Sequence, residues 1–338
     1  MTDSILGGFE RPLRELCTVE ALRRVEAGEG AEALWQSIDA LGYTDALVPA
    51  ESGGAGLSLA DMHALFFAAG RAGLSLPFAE TAVARALLAS AGHQPGGGCI
   101  VVAPAAEADG EAVVCHDVQD AALAEFVLVS RAGEWLLLVR DAAHFTPGAY
   151  RPTMSADTLR WSTGREALVR FPVQCADGEA IRNVLQATAM AGAMAHVTDL
   201  TVRYANDRKQ FGRPIGKFQA VQQDVAVLAS QAATAEMASR IGCSSASFLP
   251  DPLLAATAML RASEAAARVA AISHAVHGAI GMTEEHELGL FTRRLHESRS
   301  SGAGVRCAEQ LGRTVLAEEG LPVVDFVRTR LTAGAAAA

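Results

Sequence analysis

The 338-residue sequence is poor in aromatic side chains, in cationic charge and in unbroken apolar runs, and each shortage removes a class of protein. Aromatics make up 5% of the chain while half of it is hydrophobic, so its cores must be closed by aliphatic and small side chains. Long alanine-rich stretches suit closely approaching helices, because interaxial distance depends on the side chains at the contact. Only 28 Lys and Arg stand against 38 Asp and Glu, a formal net charge of −10. That excludes a binder of nucleic acid, whose affinity rests on counterion release by a basic face. No apolar stretch reaches the roughly 20 residues that span a bilayer. The N-terminus MTDSILGGFERPLREL carries acids and arginines where a signal peptide has an apolar run, so a cytoplasmic protein with no membrane segment is expected. Cys17, Cys99, Cys115, Cys175, Cys243 and Cys307 show no CxxC or Cys/His spacing, which leaves no readable metal site and no disulfide framework.

What is present divides into three textures. Apolar residues at three- and four-residue spacing from Leu13 to about Gly92 predict short helices, with Ser58 capping the one that holds Met62 and Leu65. Pro49, Gly53, Gly54 and Gly56 between them read as a turn in preference to a ligand loop. From about Gly96 the runs CIVVAPA, EAVVCHD, FVLVS, EWLLLVR, TLRWST and EALVRFPV predict a small antiparallel β domain of six or so strands, with Trp135 and Trp161 in its core. From about Asp177 the helical pattern returns: Ile181–Asp207, about 217–241, and 251 to about 280, where Asp251 and Pro252 form a helix entry. The predicted domains are 1–95, 96–176 and 177–338, in the order α, β, α.

One segment is not explained by packing alone. In RKQFGRPIGKFQ, Gly212 is able to end a helix in a left-handed cap and Pro214 prevents continuation, which displays Arg208, Lys209, Gln210 and Phe211. Two cations at a helix C-terminus are also favoured by the helix dipole, so spacing leaves a structural and an anion-binding reading both open.

RKQFGRPIGKFQAVQ resembles the signature of the acyl-CoA dehydrogenase family over about a dozen positions. ALWQSIDALGYTDALVPAESGGAGLSLAD is similar to that family's N-terminal helical domain, and HGAIGMTEEHELGLFTRR to its later helix and turn. The resemblance covers nearly the whole chain, and within the family it is nearest to the short subunits of heterotetrameric, steroid-degradation-type enzymes. It implies a mainly α fold with a small β domain: an N-terminal helical domain, a middle antiparallel β domain and a C-terminal four-helix bundle. It further implies FAD, α,β-desaturation of an acyl-CoA thioester, and electron-transfer flavoprotein or a similar acceptor. In the family the motif reaches across a subunit interface to FAD, which assigns cofactor contacts to Arg208, Gln210, Phe211, Phe218 and Gln219, with His277 and Gly278 at the cofactor edge.

Departures from the family pattern narrow the expectation. VVAPAAEADGEAVVCHD and FVLVSRAGEWLLLV lack the loop and strand that wrap the flavin ring, and Ala275 replaces the glutamine that usually precedes His277-Gly278. The two positions where the family places its catalytic glutamate are Gly302 and Arg182. Glu179, one turn from Arg182, is a weak candidate base. Glu236 and Glu264 read as solvated faces. Glu284, Glu285 and Glu287 read as a helix start with Arg293 and Arg294 toward its end, and His286 and His296 as surface residues.

These departures fit a short subunit without a base, completing the FAD site of a longer paralogue in an α2β2 assembly that acts on a bulky, steroid-like acyl-CoA. Two alternatives stand beside it: a self-sufficient homomeric dehydrogenase with a relocated base, and a non-catalytic or diverged member in a biosynthetic pathway.

Overall fold

The computed structural model describes residues 2–94, 96–172, 177–318 and 320–331; Cys175 and the expected domain limits at 95 and 176 lie outside the described residues. Five helices come first: α1 (Thr2–Leu16), α2 (Val19–Glu26), α3 (Ala31–Asp39), α4 (Leu59–Arg71) and α5 (Phe78–Ser90). Ser58 caps α4 as expected. Its hydroxyl accepts from the Asp61 N–H while the Asp61 carboxylate accepts from the Ser58 N–H, so two orphan donors are satisfied reciprocally. The glycine cluster before it is a tight turn, for a β-carbon on Gly54 would lie 2.1 Å from the Val48 carbonyl oxygen. Helix α5 is buried over almost its whole length, as an all-round apolar helix must be.

All six expected strands form, and two short ones join them. The eight are β1 (Ile100–Val102), β2 (Glu107–Asp109), β3 (Ala112–Val118), β4 (Phe126–Arg131), β5 (Glu134–Val139), β6 (His144–Pro147), β7 (Ala156–Trp161) and β8 (Val169–Pro172). They make two four-stranded sheets, ordered β1-β4-β5-β8 and β2-β3-β7-β6. One correction to a purely antiparallel domain is required: β1 runs parallel to β4, with Ile100 opposite Phe126. A parallel pair needs a long crossover, and residues 103–125 supply it by visiting the other sheet as β2 and β3. The Thr81 hydroxyl holds β1 to α5, bonding both the N–H and the carbonyl of Ile100.

Strand alternation then sorts the side chains. Val127, Val129, Leu136 and Leu138 meet Val113, Cys115, Leu159 and Trp161 between the sheets, whereas Leu128, Trp135 and Leu137 turn to the helices. Both tryptophans are fully buried, as expected.

The remaining elements are α6 (Gly178–Asp207), a hairpin of β9 (Lys209–Gln210) and β10 (Arg213–Pro214), α7 (Gln219–Gly242), α8 (Pro252–His277), α9 (Leu288–Ser300), α10 (Ala303–Ala317) and α11 (Val323–Phe326). Asp251 caps α8 by accepting from the N–H groups of Leu253 and Leu254, with Pro252 in the first turn. Helices α6, α7, α8 and α10 form the bundle around an alanine- and methionine-rich core. Helix α6 also crosses α4 at backbone contact. A β-carbon on Gly70 would sit 2.3 Å from the Ala189 carbonyl oxygen, and one on Gly192 2.2 Å from that of Phe67.

Helix α9 differs from expectation. Glu284, Glu285 and Glu287 precede it instead of filling its first turn, because Glu287 turns to His196, 3.4 Å away, and Arg293 and Arg294 reach Glu26 from mid-helix. Among the described residues no helix is long and apolar enough to cross a membrane.

Candidate functional site: an outward hairpin and a charged junction

Helix α6 ends at Asp207, and Arg208 leads directly into the hairpin. Gly212 is therefore not the helix cap that spacing suggested. It is the second residue of a two-residue turn in which Phe211 and Gly212 both have positive φ, +52° and +77°, the geometry that joins right-twisted antiparallel strands. Glycine adopts that backbone freely, but phenylalanine does not. Phe211 nonetheless stands there, 91% exposed, at the hairpin tip.

Around it the surface is cationic and aromatic. Arg208, Lys209 and Gln210 are exposed, and Arg208 and Lys209 have no ion-pair partner among the described residues. The Arg213 guanidinium lies 4.2 Å over the Phe218 ring, whose edge meets Phe211 with centroids 6.1 Å apart. Phe218 leads into α7, and Gln219 opens that helix, exposed. Gln210, Phe211, Ile215, Phe218, Val221 and Val276 border a shallow groove of about 280 Å³. The fold thus brings the hairpin to the C-terminal end of α8, with Ala275 and Val276 as its far wall.

His277 and Gly278 occupy different surroundings. His277 is buried, with Nδ1 2.8 Å from the Ser273 carbonyl oxygen, and its ring stacks on Tyr204 at 4.5 Å. The Tyr204 hydroxyl donates to the His277 carbonyl, which ties the ends of α6 and α8 together just beneath the hairpin. Burial pushes the imidazole below its ordinary range. His286 is half-buried against it, ring to ring at 4.7 Å. Gly278 is exposed, with φ +64° and ψ −143°, a conformation restricted to glycine.

The junction of the three domains is filled with charge. Arg151, whose side chain is 4% exposed, bonds Asp120 at 2.6 Å and Glu297 at 2.8 Å and approaches Glu26 at 3.7 Å. Arg294 joins Glu26 at 3.2 Å and also bonds Ser75 and the Gly73 carbonyl. These contacts unite the N-terminal helices, the β domain and α9. The two cavities beside them hold about 120 and 80 Å³. A cavity of ~150 Å³ houses one benzene ring, so neither accepts the three fused rings of a flavin.

The positions expected for a base can now be placed. Gly302 caps α10 in a left-handed conformation with φ +72°. Arg182 lies buried in the second turn of α6, facing the larger cavity. Glu179 is half-exposed and pairs with Arg306 at 3.1 Å, bridging the starts of α6 and α10. Glu297, five residues before Gly302, is held by Arg151, and burial raises its carboxyl above the ordinary range.

Comparison with known proteins decides the family. Residues 182–302 match the profile described as acyl-CoA dehydrogenase, C-terminal domain. The acyl-CoA dehydrogenase IpdE2 of Mycobacterium tuberculosis is 35% identical over 270 residues, 79% of this chain and 81% of that protein. The chain belongs to the acyl-CoA dehydrogenase family. Two solved structures share the fold of this family member. The ChsE4-ChsE5 complex from Mycobacterium tuberculosis matches with a TM-score of 0.78 and 20% identity, over 94% of this chain and 97% of that one. The Tcur3481-Tcur3483 steroid ACAD matches with a TM-score of 0.74 and 21% identity, over 94% and 98%.

Sequence reasoning overlooked Glu80, Arg151, Gln119 and Glu297, and read Arg294 only as a base toward a helix end. For Glu80 a signal existed. FAETAVARALLAS carries Glu80 and Arg85 as the charged residues of an otherwise largely apolar helix; Arg85 is buried and Glu80 partly buried. Arg85 is satisfied, by Asp39 at 3.0 Å, Asp45 at 3.1 Å and the Thr44 hydroxyl at 2.9 Å. Glu80 is not.

Proposed function

We propose that this chain is the short subunit of a heteromeric, FAD-dependent acyl-CoA dehydrogenase. It pairs with a longer paralogue in an α2β2 assembly and desaturates a bulky, steroid-like acyl-CoA. The observation that carries the reading is the orientation of its recognition groups. Arg208, Gln210 and Phe211 stand on an outward hairpin, while the cavity beside Arg151 and Arg294, about 120 Å³, is too small for a flavin. A homomeric enzyme repeats the same site in every subunit, so an outward hairpin beside a junction cavity too small for a flavin fits a pair of unlike chains better. The two structural neighbours, the ChsE4-ChsE5 complex and the Tcur3481-Tcur3483 steroid ACAD, support the same direction.

In this reading the chain binds and orients. Arg208 would give the FAD diphosphate two parallel charge-assisted bonds, which a lysine is unable to do. Phe211 and Phe218 would offer flat apolar faces to the adenosine, with Gln210 and Gln219 at its polar rim. His277 holds the ends of α6 and α8 together beneath them and thereby positions the hairpin. Bound FAD supplies the hydride acceptor of the desaturation. Removal of the α proton falls to the companion chain, since Glu297, five residues before Gly302, is locked to Arg151 and Glu179 faces Arg306.

Co-expression with the longer paralogue, followed by flavin-to-protein stoichiometry, tests this. One flavin per unlike pair is expected, and Arg208→Ala should lower flavin content severalfold without changing the melting temperature of the isolated chain. Glu179→Gln should leave turnover within about twofold. An isolated chain that is yellow and desaturates acyl-CoA unaided would sink the proposal in favour of the homomeric enzyme. Absence of any complex or activity would favour the diverged, non-catalytic member.

A further inference from the structure

Three histidines meet beneath the hairpin, and each is pinned as a neutral tautomer by the bonds it makes. His277 Nδ1 donates to the Ser273 carbonyl, so a second proton must go to Nε2, which is buried without a partner. The Thr292 hydroxyl gives its hydrogen to the Leu288 carbonyl, so His274 Nε2 donates to that hydroxyl, 3.0 Å away. A second proton on His274 must then go to Nδ1, also buried without a partner. His286 Nδ1 accepts from the Leu288 N–H at 3.2 Å, which puts that ring's own proton on Nε2. Protonation of any of the three costs a hydrogen bond or leaves a buried donor unmade.

These rings brace two structures. His274 and His286 both bond the first turns of α9, through Thr292 and Leu288. His277 stacks on Tyr204, whose hydroxyl ties its carbonyl to the last turn of α6, where the hairpin departs. Gly281 packs over both α8 rings, for a β-carbon there would lie 2.8 Å from that of His277 and 3.5 Å from His274 Nδ1.

Little nearby offsets an added charge. Helix α6 presents Tyr204, and α9 presents Thr292 and the His296 imidazole, with Arg299 behind it. In the turn between α8 and α9, Glu284 and Glu285 are exposed, and Glu287 pairs with His196 beside Arg203. Glu287 lies on the side of His286, the half-buried ring, so the first proton enters there. Among the described residues no carboxylate bonds any of the three rings. Burial, reinforced by the neighbouring imidazoles, holds His274 and His277 below their ordinary range.

We propose that His274, His277 and His286 form an acid-sensitive latch at the root of the hairpin. Neutral, the rings hold the start of α9 and the Tyr204 tie closed. A proton on His286 Nδ1 removes the acceptor of the Leu288 N–H and sets an imidazolium 4.7 Å from the His277 ring. A further proton on either α8 ring opens the tie, and the hairpin loosens. Because the unfolded chain takes up these protons near pH 6.5, the latch is closed above that value and opens as pH falls below it. Loss of flavin from the mixed complex at low pH rests on the subunit reading; the latch itself does not.

Hydrogen exchange at residues 204–212 of the full chain, corrected for the intrinsic rate, tests this between pH 7.5 and 5.5. Exchange should rise below pH 6.5 by about tenfold per pH unit for each proton taken up, while α5 stays protected. His286→Asn, whose side-chain oxygen still accepts from an N–H two residues on but does not titrate, should flatten the rise. Should this variant not fold, Tyr204→Phe, which keeps the ring and loses the hydroxyl, should exchange at pH 7.5 as fast as the native chain does at 5.5. Level exchange in the native chain, an equal rise in α5, or an undiminished rise in His286→Asn would overturn the proposal. Flavin content of the mixed complex should fall over the same range and hold in His286→Asn. Exchange that switches while flavin stays bound supports the latch and counts against the subunit assignment alone.

Discussion

At the scale of single residues, Phe211 is the position where local preference and observed structure disagree most. A phenylalanine with positive φ is strained, and one that is 91% exposed gains nothing from burial in this chain. Both costs fall on the isolated subunit and neither is offset within it. Phe211→Gly should therefore leave the isolated chain as stable as before or slightly more so in urea, while flavin retention in the mixed complex drops. A loss of stability in the isolated chain would show that the ring supports its own hairpin instead. Arg208 and Phe211 were legible in the sequence because the motif is continuous and its glycine and proline announce a sharp connection. The expected cap at Gly212 was misplaced by one feature: the chain makes a two-residue hairpin, so the glycine serves the turn and the helix ends at Asp207.

At the scale of elements, the α4–α6 crossing joins the N-terminal helical domain to the bundle through two glycines. Each faces the other helix's backbone, so any added carbon must separate the pair. Gly192→Ala should cost about 1–3 kcal/mol by overpacking, or more where backbone cannot shift, offset only partly by alanine's better helix propensity. Gly289→Ala, on α9 with open space at its β-carbon, is the control and should be neutral or stabilising. Equal urea midpoints for the two variants would show that the close approach is unimportant. The strands were legible from their valine-rich runs, but the parallel β1–β4 pair was not. Pairing direction depends on where the chain travels between two strands, and residues 103–125 reveal that only by folding into the second sheet.

At the scale of the whole molecule, buried acids and imidazoles at the domain junctions set the pH range. Glu80 is pushed up to about 8 from 4.5, so its contribution is unpenalised below about pH 4.5 and stability is lost as pH rises toward 8. His63, bonded to Ser239 at 3.0 Å, is pushed down to about 4 from 6.5 by burial and by Arg240, so stability is lost as pH falls from 6.5 toward 4. Between pH 6.5 and 8 the Glu80 effect acts without opposition from His63. The urea midpoint of the native chain should fall across that window, and that of Glu80→Gln should fall less. Parallel curves for the two proteins would contradict the assignment.

Local rules, acting over a few residues, were enough to announce the helices, six strands, the capped starts of α4 and α8 and the outward motif, because periodicity and turn chemistry are written in neighbouring positions. The closed interior was beyond them. Arg151 meets Glu297 across 146 positions and Arg294 meets Glu26 across 268, and an arginine's partner at that range is chosen by how three domains pack. Sequence alone announced the outward motif; folding decided which charges the chain keeps inside, since the fate of a charge depends on which surfaces close over it.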